Sequence, residues 1–201
     1  MKDNRIIYLI ACLIFISFNC IGQPRVEKVV RDDKKAYLRI RYDRDTDTIV
    51  FNTMDGFENN LTDREKLQLI ECLFKFEGDT TRHPGRGLPI YHVANERAIR
   101  FSPKSKFYTV EISALYFIDR IAYGVYSDYY SPAPVLYDNE EKIEINNCPE
   151  KVKLVFIEYK KWFNECIKSG KIPKYFPFND GRYVWLRGKK SLFLKNDELI
   201  D

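Results

Sequence analysis

Histidine is scarce in this 201-residue chain: His83 and His92 are the only two. Their spacing does not set two imidazoles on one helical face, so a helical zinc site is excluded, though a site completed by distant carboxylates is not. Any hydrolase built here has one of these two residues as its base. The chain also lacks a Gly-x-Ser-x-Gly elbow, a Walker phosphate loop and a His-Glu-x-x-His motif, the signatures of three common catalytic classes. Charge of one sign is not in excess either: 33 basic against 29 acidic residues give a net charge of +4. A nucleic-acid binder carries a clustered basic stripe, so that class is set aside. There is no internal repeat and no low-complexity segment.

One long apolar run is present, at the amino terminus. Lys2 and Arg5 precede an apolar stretch from Ile6 to Phe18, and Cys20 and Gly22 stand at the −3 and −1 positions of a cleavage point before Gln23. That is the arrangement of an export signal. The expectation is a signal peptide over 1–22 and a single globular domain over 23–201, periplasmic or secreted. A transmembrane span needs about 20 apolar residues, which this run reaches only at the short end. Membrane attachment therefore has two routes, an uncleaved signal or a lipidated Cys20. Phe18 and Asn19 before that cysteine are large or polar where a lipoprotein signal carries small residues.

Loss of residues 1–22 removes Lys2, Arg5 and Asp3, leaving 31 basic against 28 acidic side chains among 179 residues. A chain of that length buries about 70% of its unfolded surface and needs no covalent staples. Of five cysteines, Cys72, Cys148 and Cys166 remain. Cys148 and Cys166 flank a helix that holds them roughly 27 Å apart, beyond the ~7 Å limit for bridged α-carbons. Any disulfide must involve Cys72, and buried thiols acting as small hydrophobes are the leading reading.

Periodicity gives the elements. Ala36 to Tyr42 alternates, with Leu38, Ile40 and Tyr42 on one face and Arg39 and Arg41 on the other. Thr48 to Asn52 returns as the second strand of a hairpin across 43–47, and Asp55-Gly56 closes it. Thr62-Asp63-Arg64-Glu65 is a capping box that opens a first helix with Leu69, Ile70, Leu73 and Phe76 inward and Gly78 as its stop. Residues 77–89 form a long loop, followed by short strands at 90–93 and 97–101. Thr109 caps a second helix, apolar on several faces and so central to the core, which Gly124 ends. Strands at 135–137 and 142–145 pair across Asp138-Asn139-Glu140-Glu141. The third and longest helix is capped by Asn147 or Cys148, has Pro149 in its first turn and ends at Gly170. Its inner stripe is Val152, Val155, Phe156, Tyr159, Trp162, Phe163, Cys166 and Ile167. A terminal hairpin pairs 183–186 with 191–194. The fold expected is α+β: three main helices packed on antiparallel hairpin strands in a single domain.

Few groups carry chemistry. Asp43, Asp45 and Asp47 alternate as calcium ligands do, but Thr48 replaces the required Gly and Met54 the bidentate Glu, so an EF-hand is excluded and a solvated turn is preferred. Asn60-Leu61-Thr62 reads as a glycosylation acceptor, but Thr62 is better explained as a helix cap. Arg82, His83 and Arg86 bring two guanidiniums and an imidazole onto the long loop, a set suited to an anionic ligand or a partner, although a merely solvated loop, rich in Gly, Pro and charge as such loops are, is the leading reading. Tyr126, Tyr129 and Tyr130, with Tyr123 close by, form the densest aromatic stretch outside the main helices; in a chain of 14 tyrosines core packing is the leading reading for them, and a surface for protein or carbohydrate contacts the other. Cys72 and Cys166 lie on apolar faces, poor places for an activated thiolate.

These observations favour a non-enzymatic exported protein that binds another macromolecule, most simply a protein partner, as an inhibitor or immunity-type protein would. A small cell-envelope hydrolase using His83 or His92 is the alternative, and a glycan-binding module the third reading. No cofactor and no metal is expected.

Overall fold

The computed structural model describes residues 24–43, 48–51, 61–84, 103–173, 181–188, 193–195 and 198–200. The expected export signal with Cys20, the strands expected at 90–93 and 97–101, the Asp45, Asp47 and Asp55-Gly56 turn residues, Arg86 and His92 lie outside them. Among the described residues no helix is long and apolar enough to cross a membrane.

The first sheet has strand order β1-β2-β3, from β1 (Arg25–Val30), β2 (Ala36–Asp43) and β3 (Thr48–Phe51), all antiparallel. The β2–β3 hairpin is the one the alternation predicts, with Ile40 opposite Phe51 and Asp43 opposite Thr48. Ala36, Leu38 and Ile40 supply the buried face. β1 was not expected. It is a half-exposed strand, and its three valines carry too little alternation to announce it.

α1 (Asp63–Leu73) opens as its capping box requires: the Glu65 amide donates to Thr62 Oγ1 at 3.3 Å and the Thr62 amide to Glu65 Oε2 at 2.8 Å. A 3-10 turn over Phe74–Phe76 tightens its end before Gly78 at φ 78°. α2 (Val110–Tyr123), capped by Thr109, is the central helix. It packs on α1 and on β2, and eleven of its fourteen residues are buried. Such a helix has no wet stripe, which is why its sequence is apolar on several faces. A short turn of helix, α3 (Ser127–Tyr130), follows.

The second sheet has order β5-β4-β6, from β4 (Leu136–Asp138), β5 (Ile143–Glu144) and β6 (Tyr183–Trp185). The terminal hairpin expected between 183–186 and 191–194 is not formed. β6 pairs with β4 instead, Tyr137 opposite Val184, while β7 (Phe193–Lys195) pairs with β8 (Glu198–Ile200). Chain proximity favours a local hairpin, but beside β4 Trp185 pairs with Leu136 and is fully buried in the core.

α4 (Pro149–Ser169) ends at Gly170, whose φ is 68°. Seven of the eight stripe residues are buried as expected; Ile167 is not, being 54% exposed. At 100° per residue it has rotated off the stripe, onto the flank of the last turn. A single apolar cluster joins the first sheet, α1, α2, α4, β4 and β6, so the architecture is α+β with three main helices and antiparallel strands, as the patterns predict.

Candidate functional site

The segment from Asp79 to His83 is a strap between the first sheet and the start of α2. Arg82 O accepts from the Ala36 amide at 3.0 Å, Thr81 O from Val110 N at 2.8 Å, and the His83 amide donates to Tyr108 O at 2.9 Å. Lys28 Nζ on β1 donates to Asp79 Oδ2 at 2.6 Å and to Thr81 Oγ1 at 3.0 Å. The part of the predicted loop that is described therefore completes its backbone hydrogen bonds much as an edge strand does.

That placement decides the chemistry of two predicted site residues. The His83 ring stacks on Tyr108 with centroids 4.4 Å apart, and burial lowers its pKa to about 4. It is neutral at pH 7, adds no positive charge for an anion, and is a weak base. The Arg82 guanidinium lies over the Phe107 ring, 4.2 Å from its centroid, and is exposed.

The aromatic stretch divides. Tyr130 is 1% exposed and sits in the core beside Tyr123, centroids 4.8 Å apart. Tyr129 is partly buried against the same cluster, and Tyr126 is 37% exposed. Tyr130 thus takes the core-packing reading and is not a contact residue: its ring presents no face to solvent, because α3 turns it inward against Tyr123 at the end of α2. Tyr126 keeps an accessible ring.

Of the thiols, Cys72, Cys148 and Cys166 are all free. Burial pushes the Cys166 thiol up to about 12, which makes it unreactive at neutral pH. Among the described residues no group of three His, Cys, Asp or Glu side chains stands close enough to hold a metal ion.

A cavity of about 440 Å³ opens on the second sheet, lined by Tyr137, Asn139, Val184, Leu186, Arg187 and Gly188. Alternation along the strands explains the lining. Leu136 and Trp185, and likewise Asp138 and Tyr183, are cross-strand pairs facing the core, and all four are buried. Tyr137 and Val184 are paired on the opposite face, which Asn139 and Leu186 continue by the strand's two-residue period. The floor is apolar, the rim carries one guanidinium and one amide, and the volume lies in the range of small-ligand pockets.

Two features hold this cavity in shape. Asp138, wholly buried below it, accepts from the amides of Glu140 and Glu141 at 3.0 and 3.2 Å and from Lys151 Nζ at 2.9 Å. Burial works to raise its pKa, but the Lys151 hydrogen bond and those amides outweigh it and hold the carboxyl below its ordinary value. On the other side the chain turns after β6, Gly188 N donating to Trp185 O at 2.8 Å. Arg187 occupies that turn at φ 66°, a left-handed conformation that costs a side-chain-bearing residue about 1–2 kcal/mol. Gly188 lies against the backbone of Tyr130, so the cavity adjoins the aromatic bend.

None of the cavity residues was singled out as a site residue by pattern: Tyr137, Val184 and Leu186 fall in expected strands and Asn139 in the expected 138–141 turn. Tyr183 to Leu186 reads as a strand, but which of its faces meets the core depends on β4 as its partner. Arg187 at a left-handed position cannot be recognised without the backbone. Compared with known proteins, the chain matches no protein-family model, no curated protein and no solved structure.

Proposed function

We propose that this is an exported, non-enzymatic protein that binds another protein, of the inhibitor or immunity type, through the outer face of the second sheet and the adjoining bend at Tyr126. The observation that carries the reading is the chemistry of the 440 Å³ cavity: a tyrosine, two branched apolar side chains, an amide and a guanidinium line it. These groups recognise a partner by apolar contact, hydrogen bonding and charge. No carboxylate, imidazole or thiol stands among the described lining residues to move a proton or attack a bond. Tyr126, exposed on the bend whose Tyr130 backbone Gly188 meets, adds a broad ring with a polar tip, the side-chain type enriched where proteins meet.

Affinity capture of the tagged, exported form from its own envelope fraction tests this, with mass spectrometry of what is retained. One protein in stoichiometric amount, reduced when Tyr126 or Val184 is replaced by Asp, is the expected result. Absence of any stoichiometric partner, or capture indifferent to both changes, overturns it.

A further inference from the structure

We propose that the cavity on the second sheet receives an apolar group that carries a carboxylate, with Arg187 taking the carboxylate and Tyr137, Val184 and Leu186 the apolar part. The inference rests on the protein-binding reading above, and the occupant it names is an acidic segment of the partner in which Asp or Glu adjoins a large apolar residue.

Three observations converge. The first is shape and polarity: Val184 is only 6% exposed and Leu186 and Tyr137 are half-buried, whereas Arg187 is exposed at the rim. A wholly apolar ligand would leave the guanidinium unused, and a wholly polar one would leave the floor unfilled.

The second is pairing. Arg120 pairs with Asp128, Arg182 with Glu140, Lys151 with Asp138 and Glu141, and Lys28 with Asp79. Arg187 has no carboxylate partner among the described residues. Its forked donors match a carboxylate with two parallel hydrogen bonds, which a single ammonium cannot copy.

The third is backbone. Position 187 has φ 66°, where glycine is the unstrained choice. Lys34 and Lys142 hold the same conformation in turns elsewhere; what is particular to position 187 is that its turn sets a guanidinium at the mouth of the cavity.

The test uses 4-phenylbutyrate and 4-phenylbutylamine as probes on the full exported protein, read by the methyl NMR signals of Val184 and Leu186. The carboxylate should shift both signals saturably and the amine should not. Arg187→Gln should weaken the carboxylate at least about tenfold, as loss of a charged hydrogen-bonded pair does. Arg187→Gly, which relieves the backbone and so keeps the fold, should weaken it equally. Equal binding of acid and amine, unchanged affinity in both variants, or no shift at either methyl group overturns the proposal.

Capture of the partner separates the sources. A partner retained by the wild type and lost with Arg187→Gln supports the acidic segment. A partner retained equally by both forms overturns this inference and leaves the protein-binding reading standing. Phenylbutyrate binding that depends on Arg187, with no partner captured at all, overturns the protein-binding reading and the partner as source, and supports a free apolar acid in the same cavity.

Discussion

The hydroxyl of Tyr159 donates to Asp119 Oδ1 at 2.8 Å, between two side chains with no exposed surface. Trp185 Nε1 donates in turn to the Tyr159 oxygen at 3.0 Å. One run of hydrogen bonds thus ties α2, α4 and β6 together through the centre of the core, and it places Trp185 beneath the sheet whose other face bears the cavity. A network of this kind is worth most when complete, because low polarity around it makes every unpaired member costly.

Tyr159→Phe removes one oxygen and leaves two buried groups, the Trp185 N–H and Asp119 Oδ1, without their partner. A loss of about 3 kcal/mol is expected, since each unsatisfied buried group costs roughly 1–3 kcal/mol. Urea unfolding of the full protein measures it. A loss under about 1 kcal/mol would show that the three elements are held by packing alone.

Asp119 also sets a pH dependence. Burial raises its pKa well above the ordinary value, and the Tyr159 hydrogen bond works the other way without cancelling it. A carboxyl raised in the folded state contributes stability that is whole below its unfolded value, near 3.8, and is lost as pH climbs through the folded one. Asp119→Asn keeps the shape and abolishes the titration. Its stability relative to wild type should rise with pH from about 4 upward, by at most about 1.4 kcal/mol per pH unit until the folded value is passed. Parallel pH profiles for the two proteins would refute the assignment.

Much of this framework is written locally in the chain. The capping box at Thr62, the cap at Thr109, Pro149 in the first turn of α4 and the β2–β3 hairpin depend on neighbours within a few residues. The Trp185–Tyr159–Asp119 run does not, because it joins positions tens of residues apart. The candidate site fails to show in the sequence for the same reason. A three-residue strand such as β6 has no alternation long enough to reveal its outer face, and the cavity exists only once β4 lies beside it. Conversely, the residues that pattern did single out, Arg82 and His83, are drawn into the strap by partners that come from β2 and from Tyr108.

His83 offers a direct check on that strap. Its pKa, lowered by burial from 6.5 to about 4, means that folding favours the neutral ring. The stability it contributes is present above 6.5 and declines as pH falls from there toward 4, the direction opposite to that of Asp119. An NMR titration of the His83 ring should give a midpoint near 4, and His83→Gln should flatten the stability profile between pH 4 and 6.5. A midpoint near 6.5 would mean that the ring is solvated and the Tyr108 stack is not formed.

The turn that carries Arg187 depends on its neighbour having no side chain. A Cβ at Gly188 would stand 1.8 Å from the carbonyl oxygen of Tyr130 and 3.1 Å from that of Trp185. Both obstacles are backbone, so no rotamer change clears them, and either the turn after β6 or the α3 bend must move. Gly78 makes the opposite case: its φ is 78°, yet a Cβ there meets nothing within 4 Å. Gly78→Ala should cost only the left-handed strain, about 1 kcal/mol, and leave the cavity intact. Gly188→Ala should cost about 3 kcal/mol, as forced overpacking does, and should shift the Val184 and Leu186 methyl signals even without ligand. Thermal unfolding gives the order of the two variants, and the reverse order would mean that the turn does not lie against Tyr130.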